Sequence, residues 1–287
     1  MKDTEGPVCV SVINMKGGVG KTTVAALLSW YAALSLNLRV LAIDLDPQAN
    51  LSQALMRERR YRQFLRDRAP SIVEIFRGYQ PPSGRTTSSS PVETDRVTLS
   101  LGRTSISLIP SRFDFSDNLI EAIKPDPRVL ANLIAHGIQN TDLVILDCAP
   151  TESILTQAAY HASRYVLVPV KPEYFATIGF PLLHDSLNAF RTRNPVHKID
   201  VIGVIVNNAF YEGSNRGGPE RDRSIREVRT EAMKNGWHIF RSEIPHSRGF
   251  PKMMRGDFKW LGNASGASRR ISLEILKRMG FEQGSKS

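Results

Sequence analysis

Apolar runs of strand length alternate along the chain with longer stretches of helical spacing. Most of these runs are rich in Val, Ile and Leu on both faces and end in polar or turn-forming residues. A strand that is apolar on both faces is typical of a parallel sheet covered on both sides. The runs occupy residues 8–13, 39–46, 105–110, 143–147, 165–170, 201–207 and 239–244. This alternation predicts an α/β fold with a doubly wound, mainly parallel sheet and helices on both faces.

A glycine-rich loop separates the first strand from the first helical stretch. Its sequence, residues 13–23, is INMKGGVGKTT. This order of strand, loop and helix is typical of a phosphate cradle, because loop N–H groups and the positive end of the helix dipole converge on one anion. We expect Lys21 to reach the β- and γ-phosphates of ATP and Thr22 to hold Mg²⁺. The predicted nucleotide-binding residues are Gly17, Gly18, Val19, Gly20, Lys21, Thr22 and Thr23.

The loop departs from the common P-loop pattern at its start. The pattern G-x-x-x-x-G-K-[ST] would place glycine at Met15, whereas this chain has methionine there and a second lysine, Lys16, after it. In this deviant Walker A form the chain resembles the ParA/MinD/Soj family of P-loop ATPases. In that family the early lysine reaches across a two-fold interface to the partner's nucleotide. The resemblance implies a P-loop NTPase fold, a homodimer that forms on ATP binding, and catalytic roles for Lys16 and Lys21.

Two acidic strand ends extend the resemblance. Residues 44–50, DLDPQAN, resemble the family's D-x-D-P-Q-x-N signature. The signature implies that Asp46 orients the attacking water and that Asp44 supports the water shell of the metal. Later, four apolar residues deliver Asp147 to a strand end, as in a Walker B motif, where it would bind Mg²⁺ through water opposite Thr22. Open α/β sheets bind their ligands at this edge of the strands.

The resemblance also places the adenine base beside the last two predicted strands. It assigns Asn207 or Asn208 to the base, together with the backbone after Pro245. Which asparagine faces the base depends on strand register, because a shift of one residue exchanges the two faces. Residues 173–176, EYFA, resemble a family segment near the dimer and effector surface. We expect a structural role for that segment.

Length and composition favour a single domain. The chain has 287 residues, of which 41% are hydrophobic, and we predict one P-loop ATPase domain over residues 1–287. Residues 80–104 contain Pro, Gly and Ser clusters and are predicted to form an exposed loop or insertion. Cys9 and Cys148 lie in predicted buried strands, so we expect no disulfide and a reducing compartment. The absence of a signal peptide and of a long apolar run predicts a cytoplasmic protein.

Positive charge is concentrated near the C-terminus. The net charge is +10, and residues 216–278 contribute +8 through 15 Lys and Arg against 7 Asp and Glu. Such residues bind nucleic-acid phosphates without sequence preference, and ParA-type dimers bind the nucleoid through C-terminal basic residues. The predicted DNA contacts are Arg221, Arg223, Arg226, Arg229, Arg248, Lys252 and Arg255. The alternative is a solvated basic surface. The arginine-rich residues 57–68 leave the same choice open, between a solvated helix face and a secondary contact with nucleic acid or a partner.

The sequence therefore predicts a ParA-type ATPase that uses ATP and Mg²⁺. The resemblance is to small members without an N-terminal helix-turn-helix domain, and it implies a nucleoid-associated dimer on non-specific DNA. A ParB-like or other adaptor would stimulate slow hydrolysis and so position a plasmid, chromosome or other cargo. One alternative is a MinD-like ATPase that cycles on a membrane through the last helix, residues 271–281, although packing against the sheet explains its apolar residues better. The others are an Fe–S reductase and a binding module without catalysis.

Overall fold

One sheet of eight strands organises the chain. The computed structural model describes residues 6–78, 97–101, 104–113, 125–211, 218–247, 249–253, 255 and 264–282. The strands are β1 (Val8–Val12), β2 (Val40–Asp44), β3 (Val97–Leu101), β4 (Thr104–Ile109), β5 (Leu143–Asp147), β6 (Tyr165–Val170), β7 (Asp200–Tyr211) and β8 (Ile244–His246). Their order is β3-β4-β2-β5-β1-β6-β7-β8, with β3 antiparallel to β4 and the other pairs parallel. The predicted doubly wound, mainly parallel sheet is confirmed.

Helices cover both faces of this sheet. They are α1 (Lys21–Leu36), α2 (Asn50–Arg66), α3 (Ile72–Gly78), α4 (Val129–Gly137), α5 (Ile154–Ala162), α6 (Phe180–Arg193), α7 (Pro219–Lys234), α8 (Gly249–Met253) and α9 (Ala264–Arg278). Helices α1, α2, α8 and α9 share one apolar core, and α3 to α7 share the other. Along β5, successive residues enter the two cores in turn, as the two-residue period of a strand requires.

The structure corrects two boundaries. Residues 97–101, predicted to belong to a loop or insertion, form strand β3, and Thr104 begins β4. The predicted insertion covers residues 80–104, and its residues other than 97–101 and 104 lie outside the described part of the structure. The last predicted strand is also shorter than expected. Ile239 makes one isolated bridge to Val204, and strand β8 begins only at Ile244. The register of β7 with β8 then shifts between Asn207 and Tyr211.

The last helix packs inside the fold. Ile271, Ile275 and Leu276 of α9 are buried in the core that it shares with α1, Leu273 packs against that core, and α9 also contacts β8. The expectation that these side chains serve packing is confirmed. Within the described ranges, no helix combines the length and apolarity needed to cross a membrane. Cys9 and Cys148 are both buried free thiols, as their apolar surroundings predicted.

Candidate nucleotide site

The glycine loop leads from β1 into α1 at the carboxyl edge of the sheet. Strand β1 lies between β5 and β6, so the loop emerges at the centre of the sheet. Gly18 has φ 73° and Gly20 has φ 88°, both in the left-handed region that favours glycine. Helix α1 begins at Lys21, directly after Gly20. The first N–H groups of α1 and the turned loop therefore face one concave surface, which is the geometry of a phosphate cradle.

Gly20 is also fixed by a close neighbour from β7. The Asn207 side-chain amide donates a hydrogen bond to the Val19 carbonyl, 2.8 Å away. A Cβ placed on Gly20 would lie only 1.9 Å from Asn207 Nδ2. The loop and β7 therefore fit together only because residue 20 has no side chain.

Lys21 is folded into the loop that precedes it. Its ammonium donates hydrogen bonds to the carbonyls of Asn14 and Lys16, each 3.2 Å away. Burial lowers the pKa of Lys21, and the nearby carboxylates of Asp147 and Asp46 oppose this effect. The ammonium thus stands at the centre of the loop, where it can meet phosphate oxygens.

Asp44 is held by the first turn of α2. The carboxylate is buried and accepts hydrogen bonds from the Ser52 backbone N–H at 2.8 Å and the Ser52 hydroxyl at 2.7 Å. It also accepts a bond of 3.2 Å from the Asp46 backbone N–H. Burial raises the pKa of Asp44 to about 7 in spite of these bonds.

Asp147 lies beside Asp44 in the register of β5 and β2. It is fully buried, and within the described residues neither carboxylate oxygen makes a hydrogen bond of normal geometry. Burial and then the Asp44 charge raise the pKa of Asp147 well above its usual range, while the Thr22 hydroxyl and Lys21 oppose the shift. A buried carboxylate without hydrogen bonds lowers the free energy of unfolding unless water or a cation contacts it. The oxygen groups of Thr22 and Asp147 fit Mg²⁺ chemically, and these two residues would hold the ion directly or through water.

A cleft of about 800 Å³ opens beside the loop and Asp46. Its wall brings together Lys21, Thr22 and Asp46 with the turn after β2 and the turn after β5. The Asp46 carboxylate accepts a 2.9 Å hydrogen bond from the Gln48 backbone N–H. The other lining residues are Gly17, Gly18, Gly20, Thr23, Pro47, Gln48, Asn50, Phe113, Ala149, Pro150 and Thr151. Six of the seven predicted phosphate-binding residues and Asp46 therefore line one cleft.

Lys16 points away from this cleft. Its ammonium lies 3.0 Å from Glu173 Oε1 and donates to the carbonyls of Tyr174 at 3.3 Å and Phe175 at 3.4 Å. Lys171 contacts the other oxygen of Glu173 at 2.7 Å. The two lysines of the loop thus have separate environments, with Lys21 inside the cleft and Lys16 at the E-Y-F-A segment that the sequence resemblance marked.

The predicted adenine residues lie at the β7–β8 edge. Asn207 is buried and pairs in register with Ile244, so Pro245, which is buried, follows beside it. The Asn207 amide is engaged with the P-loop, as described above. The side chain of Asn208 lies outside the described part of the structure, and the choice between the two asparagines stays a prediction.

The predicted DNA contacts differ in exposure and pairing. Arg223, Arg226 and Arg229 are exposed on α7, with Arg223 paired to Glu227 at 3.1 Å. Arg221 is partly buried, and its guanidinium lies 2.7 Å from Glu243. Lys252 and Arg255 are exposed at and after α8, and Arg248 lies outside the described residues. The pairing of Arg221 indicates that it joins α7 to the segment before β8.

Sequence inspection gave no role to three residues of the site. Ser52 holds Asp44 and also accepts a 2.8 Å hydrogen bond from the Ser111 N–H. Asn14 is buried, accepts a bond from the Lys16 N–H and donates to the Pro169 carbonyl. Phe113 is 56% exposed at the rim of the cleft. Asn14 stands inside the motif, and a polar residue at the end of a buried strand was the available signal for it.

Comparisons with known proteins agree with this geometry. The AAA_31 family, described as an AAA domain, matches residues 8–199. The chromosome-partitioning ATPase Soj of Thermus thermophilus is 32% identical over 206 residues, which cover 71% of this chain and 70% of Soj. The ATP complex of a Cyanothece McdA variant superposes with a TM-score of 0.75 at 20% identity, covering 97% and 98% of the two chains. The structure of pNOB8 ParA bound to nonspecific DNA superposes with a TM-score of 0.63 at 18% identity, covering 96% of this chain and all of that one.

Proposed function

Because the chain belongs to the ParA/Soj/MinD-type family of P-loop ATPases, we propose that it is an ATP-switched dimer that binds duplex DNA without sequence preference. ATP hydrolysis, stimulated by an adaptor protein, would release it from DNA and so position a plasmid, chromosome or other cargo. The main observation behind the proposal is the direction in which the Lys16 side chain points. It stands at the edge of the phosphate loop, yet its ammonium lies at Glu173 outside the cleft, where a second subunit can meet it.

The residues in and beside the cleft would have different roles in ATP hydrolysis. Lys21 would neutralise the phosphates of its own ATP, and Lys16 would reach the nucleotide of the other subunit. Asp46 would hold the attacking water, because its carboxylate lies on the cleft wall and is oriented by the Gln48 N–H. Thr22 and Asp147 would hold Mg²⁺, with Asp44 behind them. Bound Mg²⁺ would supply positive charge to the phosphate oxygens.

Several features support DNA as the partner surface. Arg223, Arg226 and Arg229 repeat every three residues along the exposed side of α7. Arginines at such positions contact phosphates and release counterions, which gives affinity without base recognition. A fold neighbour, pNOB8 ParA, has been solved with nonspecific DNA. The proposed assembly is therefore a nucleoid-associated dimer.

The test compares DNA binding across nucleotide states. The full chain is titrated onto an arbitrary-sequence duplex without nucleotide and with ADP, ATP or a slowly hydrolysed ATP analogue, over a salt series. We expect binding only with ATP or the analogue, with affinity that falls steeply with salt. Lys16→Ala should bind ATP but lose DNA binding, because the dimer would not close. Equal DNA affinity in all four nucleotide states would contradict the proposal.

A further inference from the structure

The most concentrated positive charge in the described structure lies on the second half of α2 and the turn after it. Residues 57–68 carry six arginines against Glu58 and Asp67, a net charge of +4. All six arginines are exposed, and we call them the α2 arginine surface: Arg57, Arg59, Arg60, Arg62, Arg66 and Arg68. Helix α7, by contrast, has five basic and four acidic residues. The α2 segment therefore carries more net positive charge than α7.

The acidic residues of this segment do not cancel its charge. Glu58 pairs with Arg62 one helical turn away, and both side chains are more than two-thirds exposed. Asp67 accepts hydrogen bonds from the neutral Gln63 amide. Exposed pairs of this kind contribute only a few tenths of a kcal/mol and exchange readily for other partners.

The apolar residues of the segment are not available to a partner. Tyr61 and Phe64 are 3% and 6% exposed and belong to the core beneath α2, and Leu65 is partly buried. Within residues 57–68, all of which are described, no large apolar side chain is exposed. The centre of a protein interface is usually apolar, with aromatic residues beside any arginine anchors, whereas a phosphate backbone needs only cations. The surface therefore suits nucleic-acid phosphates better than a protein.

The surface is remote from α7. Helix α2 packs on the β2–β4 end of the sheet, whereas α7 follows β7 in the chain and belongs to the core on the opposite face. Four strand-to-strand spacings of about 4.8 Å each separate β2 from β7, so the strand beneath α2 lies about 20 Å from the strand that leads into α7, and the two helices are on opposite faces. Duplex DNA stays straight over such lengths, so one segment cannot lie on both surfaces of a subunit.

The first half of α2 faces the nucleotide site. Asn50 lines the cleft and Ser52 holds Asp44. The helix breaks at Arg57, which has φ 64° and ψ 153°, and the arginine-bearing half begins there. The α2 arginine surface is therefore joined through one short helical segment to the carboxylates that would sense ATP and Mg²⁺.

We propose that the α2 arginine surface is a second contact for the phosphate backbone of duplex DNA, and that it lets the ATP-bound protein hold a second DNA segment. The proposal rests on the proposed function for the first DNA contact at α7. It adds a surface that the C-terminal basic region does not include.

The test measures direct binding and bridging in the full chain with a slowly hydrolysed ATP analogue. Binding to one duplex is followed over a salt series, and bridging is the capture of a labelled duplex by protein on a bead-bound duplex. Three double variants change the net charge equally: Arg59→Glu with Arg60→Glu on α2, Arg226→Glu with Arg229→Glu on α7, and Arg193→Glu with Lys198→Glu as the control. Thermal unfolding verifies that each variant is folded.

We expect the α2 variant to keep most of its direct binding and to lose bridging at least tenfold, while the control keeps both. Arg59→Gln with Arg60→Gln should give an intermediate loss, because removing a contact is milder than reversing its charge. The α7 variant should lose direct binding. If the α2 variant bridges as well as the control, the proposal of a second DNA contact is wrong and the proposed function stands. Wild-type protein that binds no DNA in any nucleotide state would overturn both.

Discussion

The side chain of Asn207 ties the end of β7 to the phosphate loop, because its amide donates a 2.8 Å hydrogen bond to the Val19 carbonyl. The two residues are 188 positions apart in the chain. The bond lies directly over Gly20, so the loop conformation depends on a small residue at position 20 and on an amide at position 207. The loop is thus shaped by β7 before any nucleotide arrives.

Gly20→Ala should therefore destabilise the protein and its nucleotide site together. The new Cβ would lie 1.9 Å from Asn207 Nδ2, and alanine at φ 88° adds about 1–2 kcal/mol of backbone strain. We expect the melting temperature without nucleotide to fall by roughly 5 °C or more. ATP affinity should fall at least tenfold in a calorimetric titration.

Gly17→Ala is the matched control, because a Cβ at Gly17 has no heavy atom within 4 Å and its φ is not in the left-handed region. Its melting temperature without nucleotide should stay within about 1 °C of wild type. Equal melting temperatures for the two variants would show that the Asn207 contact does not constrain residue 20.

Asp147→Asn should stabilise the nucleotide-free protein while it abolishes hydrolysis. Asp147 is a buried carboxylate with no hydrogen bond of normal geometry in the described structure, next to the Asp44 carboxylate. Asparagine cannot ionise, so the substitution removes the cost of burying this unpartnered carboxyl group, about 1–3 kcal/mol. We expect a higher melting temperature at pH 8 without nucleotide, and loss of Mg²⁺-dependent ATP hydrolysis.

Ser52→Ala, which affects the same pair of carboxylates, should change the melting temperature in the opposite direction. It removes the 2.7 Å hydrogen bond that Asp44 accepts from the Ser52 hydroxyl, so it should lower the melting temperature. If Asp147→Asn also lowers it, Asp147 has a stabilising partner that contradicts this account.

The strand-end motifs could be predicted from sequence because each consists of an apolar run that ends in an aspartate. The run before Asp147 is apolar on both faces, which specifies a buried parallel strand, and the aspartate then falls at its carboxyl end. The same holds for Asp44 at the end of β2. The parallel register of β2 and β5 then places the two carboxylates side by side.

Contacts between distant segments could not be predicted in this way. Ser52 reaches Asp44 only because α2 folds back over the end of β2, and Lys16 meets Glu173 across 157 positions. Neither contact leaves a periodic signal in the sequence. Strand β3 was missed for another reason. Within the described sheet it is a short edge strand that pairs with β4 alone, and it follows a stretch of turn-forming residues.

The stability of the nucleotide-free protein should depend on pH through Asp44. The pKa of this carboxyl is about 7 in the folded protein, because of burial, and about 3.9 when unfolded. The folded state therefore holds a proton that the unfolded state has lost between about pH 4 and pH 7. The stabilisation from that proton is fully present below pH 4 and is lost as the pH rises through 7.

The measurement compares wild type with Asp44→Asn, which cannot titrate, by urea unfolding at pH 5.5 and pH 8. As pH rises, wild type should lose more unfolding free energy than the variant does, by up to roughly 2 kcal/mol for the 1.5 pH units between 5.5 and 7. Parallel pH dependences would mean that Asp44 is already ionised at pH 5.5.

Glu173→Gln should accelerate formation of the ATP-bound dimer without altering stability much. Glu173 holds Lys16 at 3.0 Å, and this partly exposed ion pair contributes about 1 kcal/mol or less to folding. In the proposed dimer Lys16 must leave Glu173 to reach the partner's nucleotide, so a weaker hold should favour closure. We expect a two- to fivefold lower ATP concentration for half-maximal dimerisation, measured by light scattering. Lys171→Gln should shift it the opposite way, because Lys171 competes for the same carboxylate at 2.7 Å. Shifts in the same direction would show that Glu173 does not restrain Lys16.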